Sequence, residues 1–245
     1  MLEKSGHRVI GVDLNNTDVS ADLSTAAGRK DAATKAVELA GGTVDAVIAC
    51  AGLAHPIAKT VSVNYFGVTE FLNAMQPALA KSSAPRVAIT SSMASLMPTD
   101  PELVEAMAVK DDEASALARA EQLVAQGGGL EQLIYGSTKR AVSRWVRRES
   151  IKPMWAGAGI PLNAVGPGVV ETPMTADMIA TEEARQQMLQ VVPMPLNGFM
   201  KASAVAELLI WLTSEVNTHT TGQTIYIDGG SDAALRGDNV WDLAK

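Results

Sequence analysis

Four apolar runs of strand length recur along the chain, each closed by small or polar residues and separated by stretches of helical pattern. Residues 44–50 run into Ala51-Gly52, residues 86–90 into Ser91-Ser92, residues 160–165 into Gly166-Pro167-Gly168, and residues 223–228 into Gly229-Gly230. Strands with one wet face alternate polar and apolar side chains, and these do not. They read as strands buried on both faces, which requires helices above and below a parallel sheet. The expected fold class is therefore α/β, a doubly wound parallel sheet of Rossmann-like layout. In such sheets ligands sit at the carboxyl ends of the strands, so the residues closing each run are where chemistry belongs.

Residues 7–14 read as one more buried strand, closed by Asp13. The preceding Leu2-Glu3-Lys4-Ser5-Gly6 reads as the last turn of a helix with a glycine stop. A helix tail followed by an apolar strand with a terminal Asp makes the second half of a nucleotide-binding β-α-β unit. On this reading the first strand and the glycine-rich turn of that unit are absent from this chain. A misplaced start or a shortening explains that better than a decayed gene, given how intact the rest is.

At 245 residues the chain suits one domain over 1–245, with no repeat or low-complexity linker dividing it. Two segments depart from strand–helix alternation. Residues 96–129 form a helical insertion, read as one or two exposed helices, with Asp100 as N-cap and Pro101 at the first helical position. Its Gly127-Gly128-Gly129 reads as a turn, since the Lys-Ser/Thr of a phosphate cradle does not follow. Residues 171–203, rich in Met and Pro, read as a mobile substrate loop and helix rather than sheet.

A net charge of −7 and the lack of a basic stripe argue against nucleic acid, and Arg144, Arg147 and Arg148 read as a solvated helix face. There is no apolar run of transmembrane length and no signal peptide. The lone Cys50 precludes an internal disulfide framework and fits a reducing cytoplasm. His7, His55 and His219 are scattered, so no metal site is inferred.

The chemistry concentrates in "YGSTKRAVSRW". Tyr135 and Lys139 are four apart on a helical stretch and share a face. A phenol is a poor acid–base catalyst at neutral pH unless its anion is stabilised, which an ammonium one turn away does. Ser92, just after a strand, can hold a substrate oxygen, although Ser91-Ser92 also suit helix N-caps. Asn64 lies within an apolar helical stretch, where an amide needs a specific partner. Pro167-Gly168, four residues before Thr172, can let a flat ring approach the backbone. Asp22-Leu23 suits the rim of an adenine pocket, and Asp13 suits either a ribose contact or a solvated turn.

Taken together, these features resemble the short-chain dehydrogenase/reductase superfamily, from residue 2 to about residue 235. The family's Tyr-x-x-x-Lys corresponds to Tyr135 and Lys139, its catalytic Ser to Ser92 and its helix Asn to Asn64. Its Asn-Ala-Gly appears as Cys50-Ala51-Gly52, with Cys in place of Asn, and its Pro-Gly and Thr as Pro167-Gly168 and Thr172. "TGQTIYIDGG" is similar to its closing strand. The long stretch between Ser92 and Tyr135, with "ADLSTAAGRK" and "VSVNYFG", resembles a bacterial subgroup of hydroxysteroid dehydrogenases and carbonyl reductases.

The resemblance implies an NAD(H)-dependent oxidoreductase and homo-oligomer that interconverts a secondary alcohol and a ketone, with a small molecule, such as a hydroxysteroid or another bulky carbonyl, as its partner. It implies catalytic roles for Ser92, Tyr135, Lys139 and Asn64, the last fixing a water that links Lys139 to solvent. Cofactor contacts are implied at Asp13, Asp22, Leu23, Cys50, Ala51, Gly52, Tyr135, Lys139, Pro167, Gly168 and Thr172. The methionines of 174–200 can mould to a lipophilic ligand or be ordinary packing, and the insertion can be a lid or an oligomer surface. Two rival readings are a nucleotide sensor without turnover and a shortened, inactive relative.

Overall fold

Parallel pairing with both faces covered is what the computed structural model shows. It describes residues 1–238 and 240; residues 239 and 241–245, the last of the expected 1–245 domain, lie outside the described residues. In chain order the elements are β1 (Val12–Asp13), β2 (Val19–Ser20), α1 (Ala26–Leu39), β3 (Ala46–Ala49) and α2 (Lys59–Val61). Next come α3 (Gly67–Leu79), β4 (Arg86–Thr90), α4 (Pro101–Ala108), α5 (Glu113–Gln126), α6 (Leu133–Glu149), β5 (Leu162–Pro167) and β6 (Val170–Glu171). The last are α7 (Glu182–Val191), β7 (Met200–Lys201), α8 (Ala202–Leu212), β8 (Thr224–Ile227) and α9 (Ser231–Arg236).

Strands β3-β4-β5-β8 form a sheet in that order, every pair parallel. Its carboxyl ends therefore emerge together at Cys50, Thr90–Ser92 and Pro167–Gly168. Successive residues of β4 feed opposite layers: Val87 and Ile89 join the main core with α1, α3 and α6, while Ala88 packs with Val205, Leu209 and Leu212 of α8. That alternation of layers is why the strands read as continuously apolar.

Strands β1 and β2 form a separate parallel pair, Val12 beside Val19. The strand expected over 7–14 is thus ordered as strand only at Val12–Asp13, and Val9 is 44% exposed. Its ladder partner β2 is itself only two residues long, and among the described residues no strand pairs with residues 7–10. Ahead of it, Glu3–Ser5 form one 3-10 turn that Gly6 closes in the left-handed region at φ 86°, as expected of a glycine stop.

The insertion corrects a second expectation. It forms two helices, but they are not simply exposed. Leu103, Val104 and Met107 of α4, and Ala116, Ala120 and Leu123 of α5, are buried members of the main core. Charged residues between them break up the apolar stripe in sequence while leaving it continuous on one helix face. Gly127, Gly128 and Gly129 all take positive φ and end α5 as a turn. Segment 171–203 also holds more order than expected, because β6 and β7 at its ends pair in parallel. Its Met188, Met194 and Met200 join Met93, Val169, Ile179, Val192 and Phe199 in a third apolar cluster, while Met174 and Met178 are exposed. No described helix is long and apolar enough to cross a membrane.

Two arginines fasten the insertion. Arg29 of α1, 1% exposed, donates to both carboxylate oxygens of Glu113 at the start of α5 and to the carbonyls of Leu23, Ser24 and Ser62, with Glu70 of α3 at 3.1 Å. Arg119 of α5 grips Asp100, which caps α4 by accepting the Leu103 N–H. Burial pushes the Asp100 carboxyl up, but Arg119 and the cap outweigh it and hold it below the ordinary value. A carboxyl lowered by folding stabilises the protein above its unfolded pKa of about 4, and that contribution fades as pH falls through the folded value. Asp100→Ala should cost about 1–3 kcal/mol at pH 7 in urea unfolding, with the gap from wild type closing below about pH 4. A gap that is the same at both pH values would contradict the assignment.

Candidate active site

The end of β4 places the first functional group. Ser92 is extended (φ −168°, ψ 156°) and caps the 3-10 turn Met93–Leu96, its Oγ accepting the Ala94 N–H at 3.1 Å. Capping and a site role are compatible, because the bond uses an acceptor lone pair and leaves the hydroxyl proton to donate.

Helix α6 supplies the next two. Tyr135 and Lys139 lie one turn apart, with the Lys139 Nζ 5.7 Å from the Tyr135 ring centroid. Lys139 is 5% exposed and donates from Nζ to the Thr90 carbonyl at 2.9 Å, which leaves two of its three N–H groups for other partners. Its backbone is fixed too: Ser91 Oγ donates to the Lys139 carbonyl and meets Ser143 Oγ. Thr90 thus joins the strand end to the lysine, and its hydroxyl donates to Cys50 Sγ at 3.3 Å. Cys50 therefore stands at the same sheet edge.

Asn64 has its specific partners. It is fully buried in a π-helical turn, Ser62–Phe66, between α2 and α3. Such turns bulge a helix to aim one side chain and are frequent at functional sites. Its Oδ1 accepts the Leu53 N–H at 2.7 Å, and its Nδ2 donates to the Leu53 carbonyl and to Thr138 Oγ1. The amide thereby pins the loop that follows Cys50-Ala51-Gly52 against α6. A Cβ on Gly52 would lie 3.3 Å from Asn64 Oδ1 and 3.6 Å from Lys139 Nζ, so those two polar atoms face the same small gap.

Of the sequence-predicted residues, Ser92, Tyr135, Lys139, Asn64, Cys50, Ala51 and Gly52 are brought together around Thr90 and Thr138. Pro167 ends β5 at the same sheet edge with Gly168 just beyond it, and Thr172 follows β6, its N–H donating to Thr175 Oγ1. The Cβ space of Gly168 is taken by Met194 and the Asp228 backbone, a packing reason for glycine beyond access to a ring. Asp13 is exposed at the end of β1, where its Oδ1 accepts the Leu14 N–H. Asp22 follows β2; hydrogen bonds from Ser24 and the nearby Lys59 hold its carboxyl below the usual range. Leu23 packs against the main core and gives its carbonyl to Arg29. Sequence reasoning missed Thr90 and Arg29. Thr90 closes a strand run and could have been noticed, whereas nothing local marks Arg29, whose partner Glu113 is 84 positions away.

A family model described as enoyl-(acyl carrier protein) reductase matches residues 6–232. The chain is 35% identical, over 96% of its length and 91% of the relative's, to the 3-alpha-hydroxysteroid dehydrogenase/carbonyl reductase of Comamonas testosteroni. The crystal structure of the 3-alpha-hydroxysteroid dehydrogenase from Pseudomonas sp. B-0831, complexed with NADH, superposes with a TM-score of 0.86 at 36% identity, covering 97% of this chain and 92% of that one. A short-chain dehydrogenase family protein from Francisella tularensis shares the fold at 19% identity and a TM-score of 0.67, over 95% and 90% of the two chains.

Replacing Asn64 by Leu removes the partners of a backbone N–H and a carbonyl at Leu53. Asn64→Leu should lower stability by about 2–4 kcal/mol in urea unfolding. A loss below about 0.5 kcal/mol would mean that the amide does not hold that loop.

Proposed function

The chain belongs to the short-chain dehydrogenase/reductase family, and we propose that it is an NAD(H)-dependent oxidoreductase interconverting a secondary alcohol and a ketone. The observation that carries this reading is the lysine held between a strand end and a tyrosine. Lys139 is anchored by one N–H to the Thr90 carbonyl, with Tyr135 on the same helix face and Ser92 two residues beyond Thr90.

The residues present fit a dinucleotide. Gly52 leaves open the gap that Asn64 and Lys139 face, Lys139 keeps two donors, and Asp13 offers an exposed carboxylate at a strand end. Asp13 would accept hydrogen bonds from the adenosine ribose and repel a 2′-phosphate, favouring NAD(H) over NADP(H). Asp22 and Leu23 would edge the adenine. Cys50, Ala51 and Gly52 would line the middle of the site, and Pro167, Gly168 and Thr172 its nicotinamide end. A bound nicotinamide supplies the hydride.

The chain's own residues do the rest. Tyr135 gives its phenolic proton to the carbonyl oxygen during reduction and takes it back during oxidation. The Lys139 ammonium stabilises the phenolate left behind and donates to ribose hydroxyls. Ser92 donates to the same substrate oxygen as negative charge grows on it. A water in the gap shared by Asn64 Oδ1 and Lys139 Nζ would return the proton from solvent.

The substrate class, a hydroxysteroid or another bulky lipophilic carbonyl, draws support from two things. One is the name of the Comamonas relative; the other is the adaptable methionine cluster under segment 171–203. Self-association and a cytoplasmic setting belong to the same reading.

Tyr135→Phe should reduce ketone turnover at least about 100-fold while NADH still binds in calorimetric titration. Substantial remaining turnover would overturn the assignment. Asp13→Ala should raise the KM for NADH about tenfold and narrow the preference over NADPH. Equal wild-type rates with the two cofactors would refute that preference.

A further inference from the structure

Arg140 follows Lys139 on α6 but turns its guanidinium away from the lysine's partners. Its Nε donates to the Ser95 carbonyl at 2.7 Å, its Nη2 to the Met97 carbonyl at 2.8 Å and its Nη1 to Thr99 Oγ1 at 2.8 Å. All three acceptors lie on the segment that begins with Ser92. Ser95 is 4% exposed, its N–H donates to the Ser92 carbonyl at 3.1 Å, and its hydroxyl meets the Tyr226 hydroxyl of β8 at 2.9 Å.

The approach is close on both sides. A Cβ on Gly136 would lie 3.1 Å from the Ala94 carbonyl, so glycine beside Tyr135 lets α6 press onto the turn. A Cβ on Gly166 would lie 2.5 Å from the Tyr226 ring, so glycine in β5 makes room for that tyrosine.

We propose that Arg140, with Tyr226 as its counterpart, is a positioning residue for Ser92. A rigid planar fork that spans three acceptors fixes a short turn in a way a lysine ammonium cannot. The helix carrying Tyr135 and the turn carrying Ser92 thereby become one body, so the two hydroxyls keep a fixed separation around the substrate oxygen. Catalysis depends steeply on that separation, because a displacement of about 1 Å costs on the order of 100-fold in rate.

The inference rests on the oxidoreductase reading, and its test separates the two. Arg140→Met should lower kcat for ketone reduction about 10- to 100-fold, with the KM for NADH changed less than about twofold. In a Ser92→Ala background the same substitution should change kcat less than about threefold, since its effect runs through the missing hydroxyl. Tyr226→Phe should show a smaller loss of the same pattern.

Independently of turnover, hydrogen exchange at the Ser95 and Met97 amides should accelerate in Arg140→Met while the middle of α6 keeps its protection. Should Arg140→Met fail to fold, Arg140→Lys, which keeps the charge and stem but not the fork, takes its place in both measurements. An unchanged kcat, or an equal loss with and without Ser92, overturns the proposal. If wild type reduces no ketone, the oxidoreductase reading falls. Unchanged exchange at Ser95 and Met97 would then overturn the clamp as well.

Discussion

The buried guanidinium of Arg29 is the contact on which most of the molecule's geometry depends. Taking a cation out of water is expensive, and this one is tolerated because its N–H groups meet carbonyl and carboxylate oxygens while its Cζ lies 5.8 Å from the centroid of the Phe66 ring. Burial disfavours its charge, and the carboxylates of Glu113 and Glu70 more than restore it. The four segments it touches have separate tasks. Leu23 and Ser24 follow β2, Ser62 opens the π-helical turn of Asn64, Glu70 belongs to α3, and Glu113 begins α5. One side chain therefore sets the rim of the site against the helix that carries Asn64, and seals the insertion over both.

That arrangement gives the insertion a different character from a lid or an appendage. Its apolar face completes the main core, and its Glu113 carboxylate neutralises a charge that α1 has already buried. Removing it would expose core side chains and leave a cation without its main partner. The insertion belongs to the frame of the site.

Most of the frame was legible in the sequence because it is written locally. Continuous apolar runs ending in Gly, Ser or Pro mark parallel strands, Asp100-Pro101 marks a helix start, and Tyr135 and Lys139 declare a shared face by spacing alone. The remainder depends on distant pairings. The strand beginning at His7 stops short because its partner is short, and β6 and β7 exist only because each finds the other. Arg29 and Arg140 looked like any helix arginine, since nothing near them in sequence reveals a buried carboxylate or three oxygens of another turn. Local pattern specifies elements, and long-range polar contacts specify how a site is braced.

Among the described residues, the third apolar cluster shares none of its buried members with the other two, and Met200 alone packs against both it and the α8 layer. Segment 171–203 is thus anchored on a small core of its own. In evolutionary terms this separates two pressures that usually collide. Exchanges at Met188, Leu189 or Phe199 redraw the apolar wall of the segment at a cost confined to that cluster, while the sheet and the residues at its carboxyl edge stay under independent selection. A lineage with this layout can reshape that wall without first acquiring stability to spare.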